Sequence, residues 1–328
     1  MTTLSPGDAV ERVAAIFVRE GCSAGNAQSV ARALVAAEAD GLKGHGLSRI
    51  PTYLQMVRSG KLDGTAQPSA TRPRPGVLAV DAAHGFAYPA LDLAVAELPA
   101  LAAEQGIAAA SIRRSSHCGE TGLPCEALAS QGLLALLFAN TPGAMAPWGG
   151  RQPVFGTNPI AFAAPLEGRE PVVVDLALSK VARGPIVSAK QRGESIPQGW
   201  ALDADGNPTT EPDQALAGSM TPLGDAKGAA LAFMVEVLAA CLTGANLAFE
   251  ASSFLDGEGP PPATGQLLLA IDPSPFGHGR FGERIAALVG AIEQQPGARL
   301  PGTRRLASRA RAAREGIVIP AEIEAALR

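Results

Sequence analysis

The chain has 328 residues, of which 47% are hydrophobic, 18% are charged and only 4% are aromatic, and its formal net charge is −4. This composition is typical of a globular protein large enough for two compact lobes, and it argues against a disordered chain. The negative net charge, the few aromatic residues and the lack of a long Lys/Arg run argue against a surface for nucleic acid or an anionic membrane.

Helical patterns fill the first 60 residues. Ser5-Pro6 and Ser23 have the residue types that begin helices, and they predict two amphipathic helices that end at Gly21 and Gly41. A third helix is predicted to end at Gly60. The chain is therefore expected to begin with a helical lobe.

Residues 61–76 are rich in Pro, Gly and Thr, which predicts a boundary between lobes. Beyond it, short apolar runs typical of strands lie at residues 77–81, 107–112, 133–139, 160–164, 172–174 and 267–271. Helical patterns occur between some of these runs. The mixture predicts an α/β or α+β fold, with a helical lobe of residues 1–75 and 281–328 and a sheet-containing core of residues 76–280.

The sequence has four cysteines, Cys22, Cys118, Cys125 and Cys241. They include no C-x-x-C pair and do not resemble a disulfide framework, so we expect free thiols in a reducing compartment. Residues 1–15 lack the basic and apolar regions of a secretory signal, and the most apolar stretch, 228–245, is interrupted by Glu236. These features predict a cytoplasmic protein without a membrane span, in which residues 228–245 form a buried helix.

The histidines and the glycine-rich segments do not match standard metal or dinucleotide motifs. The four histidines, His45, His84, His117 and His278, include no pair with the spacing of a zinc site, so no metal is expected. Gly277 to Gly282 matches G-x-G-x-x-G, but residues 272–275 separate it from the preceding strand. No acidic residue follows about twenty positions later, so we interpret the match as a coincidental loop.

His45 lies between Gly44 and Gly46, just before a predicted helix, and Arg49 follows four residues later. Flanking glycines let a ligand approach the imidazole closely. An imidazole that exchanges a proton with a carbonyl or an imine, beside a guanidinium that binds a carboxylate, suffices to reduce a 2-oxo or 2-imino acid. The alternative is a polar loop with one surface salt bridge, and the spacing alone favours that alternative.

Two further segments are candidates for a site. Residues 115–122, which include His117, precede a predicted helix and offer backbone N–H groups to a phosphate, or they form an ordinary helix cap. Residues 140–159 are long, non-repetitive and rich in Pro and Gly, which is typical of a loop that forms a site or of a rigid connection between lobes.

Taken together and in this order, these segments resemble the type-2 malate/L-lactate dehydrogenase family. That family includes ureidoglycolate and sulfolactate dehydrogenases and the reductases of piperideine- and pyrroline-2-carboxylate. The matching segments cover nearly the whole chain and are residues 40–53, 116–119, 140–150, 156–162, 175–177, 182–184, 196–203, 222–228 and 300–306.

The resemblance implies that residues 76–280 include a cofactor domain that is not a Rossmann fold but a family-specific, largely antiparallel sheet. A helical lobe for substrate binding and dimerisation, and a homodimer with its site near the subunit contact, are also implied. His45 would be the proton donor and acceptor, Arg49 would bind the substrate carboxylate, and Thr157 would touch the substrate. The residues implied to hold a nicotinamide cofactor are His117, Cys118, Gly119, Glu120, Thr121, Asp175, Leu176, Ala177, Lys227, Gly302, Arg304 and Arg305.

The chain departs from the family pattern at four positions. Gly44 replaces a serine that many members have before the histidine, and Pro185 replaces an aspartate of some ketimine reductases. A Ser–His–Asp relay of that kind is therefore missing, which weakens the interpretation as a ketimine reductase. Ala226 stands where many members have His, and Cys118 replaces a bulkier residue in the Ser-His segment, where no nucleophile is needed.

We therefore expect an NAD(P)-dependent oxidoreductase that interconverts a small 2-hydroxy acid and its 2-oxo acid, of the malate, lactate or sulfolactate type. A cyclic ketimine reductase that uses the same two residues, and a catalytically silent binding homologue, are the alternatives. Arg304 and Arg305 favour NADP over NAD, because the 2′-phosphate needs a basic partner. The expected partners are a small carboxylate substrate and a second copy of the chain, without nucleic acid or membrane.

Overall fold

The computed structural model describes residues 2–324, so residues 1 and 325–328 of the predicted helical lobe lie outside the described part. The helices are α1 (Pro6–Arg19), α2 (Ala24–Ala39), α3 (Ile50–Arg58), α4 (Ala87–Gln105), α5 (Gly122–Ala129), α6 (Arg183–Arg192), α7 (Pro212–Ala217), α8 (Ala226–Glu236), α9 (Phe281–Glu293), α10 (Thr303–Glu315) and α11 (Ala321–Glu324). The strands are β1 (Thr3–Leu4), β2 (Ser69–Arg74), β3 (Val77–Asp81), β4 (Ile107–Ser115), β5 (Leu134–Ala139), β6 (Ile160–Leu166), β7 (Arg169–Leu176), β8 (Ala201–Leu202), β9 (Pro208–Thr209), β10 (Ser219–Met220), β11 (Thr264–Ile271) and β12 (Ile317–Val318).

A seven-stranded sheet in the order β2-β3-β4-β11-β5-β6-β7 forms the centre of the molecule. β3 and β4 are parallel, and every other neighbouring pair in this sheet is antiparallel. Leu268 of β11 pairs with Ala110 of β4 on one side and with Leu137 of β5 on the other. A strand from late in the chain therefore lies at the middle of the sheet, and the predicted mixture of helices and strands is confirmed.

Helices cover both faces of this sheet because its strands are apolar on both sides. Leu137 and Leu268 share a buried cluster with Leu98 of α4 and Leu128 of α5. Their neighbours Phe138 and Leu267 point to the other face, as the two-residue period of a strand requires, and pack with residues of α6, α7 and α8.

The helical N-terminal region has its own core. The Ser5 hydroxyl accepts a hydrogen bond from the Asp8 N–H, and the Ser23 hydroxyl accepts one from the Asn26 N–H, so both predicted N-caps are confirmed. β1 pairs with β12 at the other end of the chain, and Ile317 is buried in the same cluster as Phe17. This core is therefore completed by residues from both ends of the chain.

The division into lobes at residues 75 and 281 stays a prediction. Both α9 and α10 belong to the predicted helical lobe, but α10 contacts α2 of that lobe whereas α9 contacts β6 of the sheet. The glycine segment that matches G-x-G-x-x-G forms a single 3-10 turn at Gly277–Gly279, separated from the end of β11 at Ile271. Within residues 2–324, no helix combines the length and apolar character that crossing a bilayer demands.

The predicted burial of residues 228–245 is wrong for one face of the helix. Ala232 and Val235 of α8 are buried against the sheet, but Phe233 is 60% exposed. Exposure continues into the π-helical turn Val237–Cys241 that follows α8, since Leu242 at its end is 61% exposed. The chain therefore presents an apolar helix face to its surroundings.

Candidate active site

The loop that carries His45 is held in place by backbone contacts and by Glu38. The His45 N–H donates to the Leu42 carbonyl at 2.8 Å, which closes a turn directly after α2. Glu38 accepts a hydrogen bond from the Leu47 N–H at 3.0 Å. Gly46 leaves little room for a side chain, because a Cβ there would lie 3.0 Å from the Glu38 Cα. The loop therefore lies tightly against the end of α2.

Arg49 lies in the 3-10 turn Leu47–Arg49 and folds back over this loop. Its Nε donates to the Gly44 carbonyl at 2.7 Å, and this is the one hydrogen bond that the Arg49 side chain makes within residues 2–324. The two Nη nitrogens are therefore available to a carboxylate ligand. Gly44 has open space around it, since a Cβ there would meet no atom within 4 Å.

His117 lies beside His45, with 5.4 Å between the ring centroids. The Tyr53 hydroxyl is 2.6 Å from His117 Nδ1 and 2.9 Å from the Tyr88 hydroxyl, so a buried chain of polar groups leads away from the two imidazoles. The Phe254 ring covers His117 at a centroid distance of 5.3 Å. His117 is thus fixed by hydrogen bonding on one side and by packing on the other.

The protonation states of this group follow from burial and from the Arg49 charge. Burial, and then the Arg49 charge, lower the pKa of His45 to about 4. The same two causes, together with His45, hold the pKa of His117 well below its usual value. Burial raises the pKa of Tyr53 to about 12. At neutral pH both imidazoles and the Tyr53 hydroxyl are therefore uncharged.

The loop of residues 117–122 is tied to the end of β7 by Asp175. The Thr121 hydroxyl donates to one Asp175 oxygen at 2.6 Å, and the Gly122 N–H donates to the other at 2.7 Å. Gly302 approaches the same strand, because a Cβ on it would lie 3.1 Å from the Val173 carbonyl oxygen. Three segments predicted to hold the cofactor, residues 117–121, 175–177 and 302–305, therefore converge on β7.

Thr157 and the turn before Lys227 meet the chain just beyond β7. The Leu178 N–H donates to the Thr157 carbonyl at 2.8 Å, and the Leu223 N–H donates to the Leu178 carbonyl at 2.7 Å. The Thr157 N–H donates to the Thr141 hydroxyl at 2.9 Å. Lys227 is exposed in the first turn of α8. These residues form a second group, joined by backbone hydrogen bonds rather than by direct contact with His45.

The two arginines of the Gly302–Arg305 segment differ in environment. Arg304 is exposed. Arg305 is 9% exposed, and its guanidinium donates to Asp40 at 2.8 Å and to Glu126 at 2.6 Å. Of the two, Arg304 is therefore the one open to a ligand.

Sequence reasoning missed several residues that support the site, among them Tyr53, Tyr88 and Phe254 as neighbours of His117. Tyr53 of α3 carried a usable signal, since it lies four positions after Arg49, the residue that precedes α3, and i,i+4 residues are neighbours on a helix. Tyr88 and Phe254 carried none, because their contacts depend on tertiary structure. Within residues 2–324, no three His, Cys, Asp or Glu side chains are grouped so that they could hold a metal ion.

This chain is similar to known proteins over most of its length. Residues 4–328 match the family model described as malate/L-lactate dehydrogenase. A (2R)-3-sulfolactate dehydrogenase (NADP(+)) from Chromohalobacter salexigens is 54% identical over 283 residues, which are 86% of this chain and 84% of that protein. A Delta(1)-pyrroline-2-carboxylate reductase from Ancylobacter novellus is 42% identical over 314 residues, which are 95% and 92% of the two chains.

Solved structures agree with this match. The delta1-piperideine-2-carboxylate reductase of Pseudomonas syringae has a TM-score of 0.94 at 41% identity, covering 100% of this chain and 99% of its own. The sulfolactate dehydrogenase of Methanocaldococcus jannaschii has a TM-score of 0.90 at 27% identity, covering 99% and 95%. Since the family match extends over residues 4–328, the chain belongs to the malate/L-lactate dehydrogenase family and is an oxidoreductase.

Proposed function

We propose that this protein is an NADP-dependent dehydrogenase that interconverts a small 2-hydroxy acid and its 2-oxo acid, with a sulfolactate-type substrate as the leading candidate. The observation that carries the proposal is the pairing of His45, whose pKa is lowered to about 4, with Arg49, whose Nη nitrogens make no hydrogen bond within residues 2–324. The name of the 54% identical relative supports the substrate class and the cofactor.

Arg49 is proposed to bind the substrate carboxylate. A guanidinium can donate two parallel hydrogen bonds to a carboxylate, and the contact of Arg49 Nε with the Gly44 carbonyl fixes the plane of the group. The reacting carbon is adjacent to that carboxylate in a 2-hydroxy acid, so the bound substrate would place its hydroxyl near the His45 ring. Thr157 is proposed as a further contact.

His45 is proposed to accept the hydroxyl proton during oxidation and to return it during reduction. Its imidazole is uncharged at neutral pH, because burial and Arg49 lower its pKa to about 4, so it is ready to act as a base. A substrate carboxylate paired with Arg49 offsets the Arg49 charge, and His45 then holds a proton more readily. Substrate binding would thus prepare the acid that reduction requires.

The residues around β7 suit a dinucleotide cofactor. Asp175 draws residues 117–122 toward β7, Gly302 approaches the same strand, and the exposed Lys227 and Arg304 supply positive charge for phosphates. When bound, NADPH supplies the hydride of the reaction. We propose that Arg304, rather than the buried Arg305, meets the 2′-phosphate. The largely antiparallel sheet and the separation of Gly277–Gly279 from β11 support a cofactor domain that is not a Rossmann fold.

A cyclic imino acid reductase is the second candidate, supported by the P. syringae structure with a TM-score of 0.94. Pro185, in the first turn of α6, offers no carboxylate for a relay to the histidine, and Gly44 offers no hydroxyl. Both positions favour the oxo acid as substrate.

A homodimer is proposed from the apolar side chains that α8 and the π-helical turn after it expose. Phe233 is 60% exposed, Leu231 is 41% exposed and Leu242 is 61% exposed, a pattern that monomeric proteins seldom retain. A second copy of the chain is the proposed partner. Light scattering should give twice the chain mass for the wild type, whereas Phe233→Glu should shift it toward the monomer.

A cytoplasmic location is also proposed, supported by the free thiols of Cys22, Cys118, Cys125 and Cys241.

The test of the proposed function is a substrate panel followed by absorbance of NADPH and NADH at 340 nm. The panel contains pyruvate, oxaloacetate, 3-sulfopyruvate and the two cyclic imines, pyrroline- and piperideine-2-carboxylate. We expect the highest kcat/KM for 3-sulfopyruvate with NADPH, and at least about 100-fold less activity for His45→Gln. Higher kcat/KM for a cyclic imine would select the second candidate, and near-normal turnover of His45→Gln would refute the role of His45.

A further inference from the structure

Five charged residues meet in one buried cluster beside the site, and we call Asp40, Glu120, Glu126, Arg305 and Arg309 the charged cluster. Arg305 donates to Asp40 at 2.8 Å and to Glu126 at 2.6 Å. Arg309 donates to Asp40 at 2.7 Å and to Glu126 at 2.8 Å. The side chains of Asp40 and Glu120 are 0% exposed. Surface pairs contribute little, but a buried network of this kind fixes its members relative to one another.

The members of the charged cluster come from the segments that carry the site. Asp40 is the C-cap of α2 and directly precedes the loop that carries His45. Glu120 lies in the loop that begins with His117, and Glu126 lies on α5 just after it. Arg305 and Arg309 lie on α10, which begins after Gly302. The cluster therefore joins three segments of the site. They are residues 41–47, which we call the His45 loop, residues 117–122, which we call the His117 loop, and the turn at Gly302 that precedes α10.

The charges of the cluster balance if Glu120 carries a proton. Two arginines face three carboxyl groups, and Glu120 is the one whose oxygens accept no hydrogen bond from residues 2–324. Arg305 Nη1 approaches Glu120 only to 3.6 Å, while its two closest acceptors are Asp40 and Glu126. A protonated Glu120 can donate to the neighbouring Asp40, which supplies the partner that the ionised form lacks.

We propose that Arg305, the more buried of the two arginines, is a positioning residue that bridges Asp40 and Glu126 together with Arg309 and so holds the His45 loop and the His117 loop at the spacing the reaction requires. The proposal rests on the proposed function, since it concerns the geometry around His45. Arg305 touches neither imidazole, so its effect passes through the backbone that follows Asp40 and the backbone that precedes Glu126. The two rings lie 5.4 Å apart, and a shift of about 1 Å in such an arrangement costs about 100-fold in rate.

The test compares Arg305→Met with Arg311→Met, which makes the same change at an exposed position of α10. We expect Arg305→Met to lower kcat about 100-fold while KM for substrate and NADPH changes less than about threefold. Arg311→Met should match the wild type. In the ligand-free chain, hydrogen exchange in Arg305→Met should rise in residues 41–47 and 117–122 while β4 and β11 keep their protection.

Arg305→Lys keeps one charge and tests the proposal if Arg305→Met does not fold. It should lower kcat about tenfold with the same local pattern of exchange, because an ammonium cannot bridge two carboxylates in the manner of a planar guanidinium. Wild-type kcat in either folded variant, or exchange that rises equally in β4 and β11, would overturn the proposal. Normal turnover of His45→Gln would instead refute the proposed function, and the exchange measurement would still report on the cluster.

Discussion

Replacing Glu120 by glutamine should make the protein more stable at alkaline pH. Burial, then the charge of Asp40, raise the pKa of Glu120 from 4.5 to about 8 in the folded chain. The unfolded chain loses this proton near pH 4.5, whereas the folded chain keeps it until about pH 8. Between these values the folded state binds more protons than the unfolded state, so the free energy of unfolding falls as pH rises.

The size of the effect follows from that difference. Each pH unit between 5 and 8 removes about 1.4 kcal/mol from the free energy of unfolding of the wild type relative to Glu120→Gln. The advantage of the variant should therefore grow to about 5 kcal/mol near pH 8 and then stay level, since both states of Glu120 are ionised above that pH.

Urea unfolding of the ligand-free protein at fixed protein concentration, at each pH from 5 to 9, measures this difference. Glu104→Gln, which makes the same change at an exposed position of α4, is the matched control and should match the wild type at every pH. If the free energies of unfolding of Glu120→Gln and the wild type differ by the same amount at every pH, the folded chain does not keep a proton on Glu120.

Three further predictions concern the site. Because His45 has a pKa of about 4, kcat/KM for reduction should fall about tenfold per unit from pH 5 to 8, while kcat/KM for oxidation stays level; an oxidation rate that rises through pH 7 would contradict this. Arg304→Ala should raise KM for NADPH about tenfold and leave KM for NADH unchanged, and an equal effect on both cofactors would remove Arg304 from the 2′-phosphate. Gly44→Ser should change the free energy of unfolding by less than about 0.5 kcal/mol, because a Cβ at Gly44 meets no atom within 4 Å, and a larger loss in urea unfolding would show hidden strain.

The features that sequence could predict are those that depend on neighbouring residues. Ser5 and Ser23 cap helices through the N–H groups three residues ahead, and this relation is local. His45 and Arg49 lie four residues apart, so their proximity also follows from the sequence. The family could then be identified from the order of the motifs along the chain. A match over many segments is specific for one family, whereas a single pair of residues is not.

The charged cluster and the covering of His117 could not be predicted in this way. Arg305 and Asp40 are 265 positions apart, and Tyr53 and His117 are 64 apart, so their contacts exist only after the fold has formed. The sequence presented Arg305 as a free cation next to Arg304. Arg305 is buried and Arg304 is exposed because of the way α10 packs on α2.

The pairing of β1 with β12 has a consequence for synthesis on the ribosome. The core of α1 and α2 includes Ile317, Ile319 and Ile323, so the part of its apolar surface that these residues cover stays exposed until nearly the whole chain has emerged. At about 5–20 residues per second, the interval between the emergence of α3 and that of β12 is roughly 15–50 s. We expect the N-terminal helices to be prone to aggregation during this interval. Expression of the folded enzyme should therefore depend on how fast the part of the message between α3 and β12 is translated.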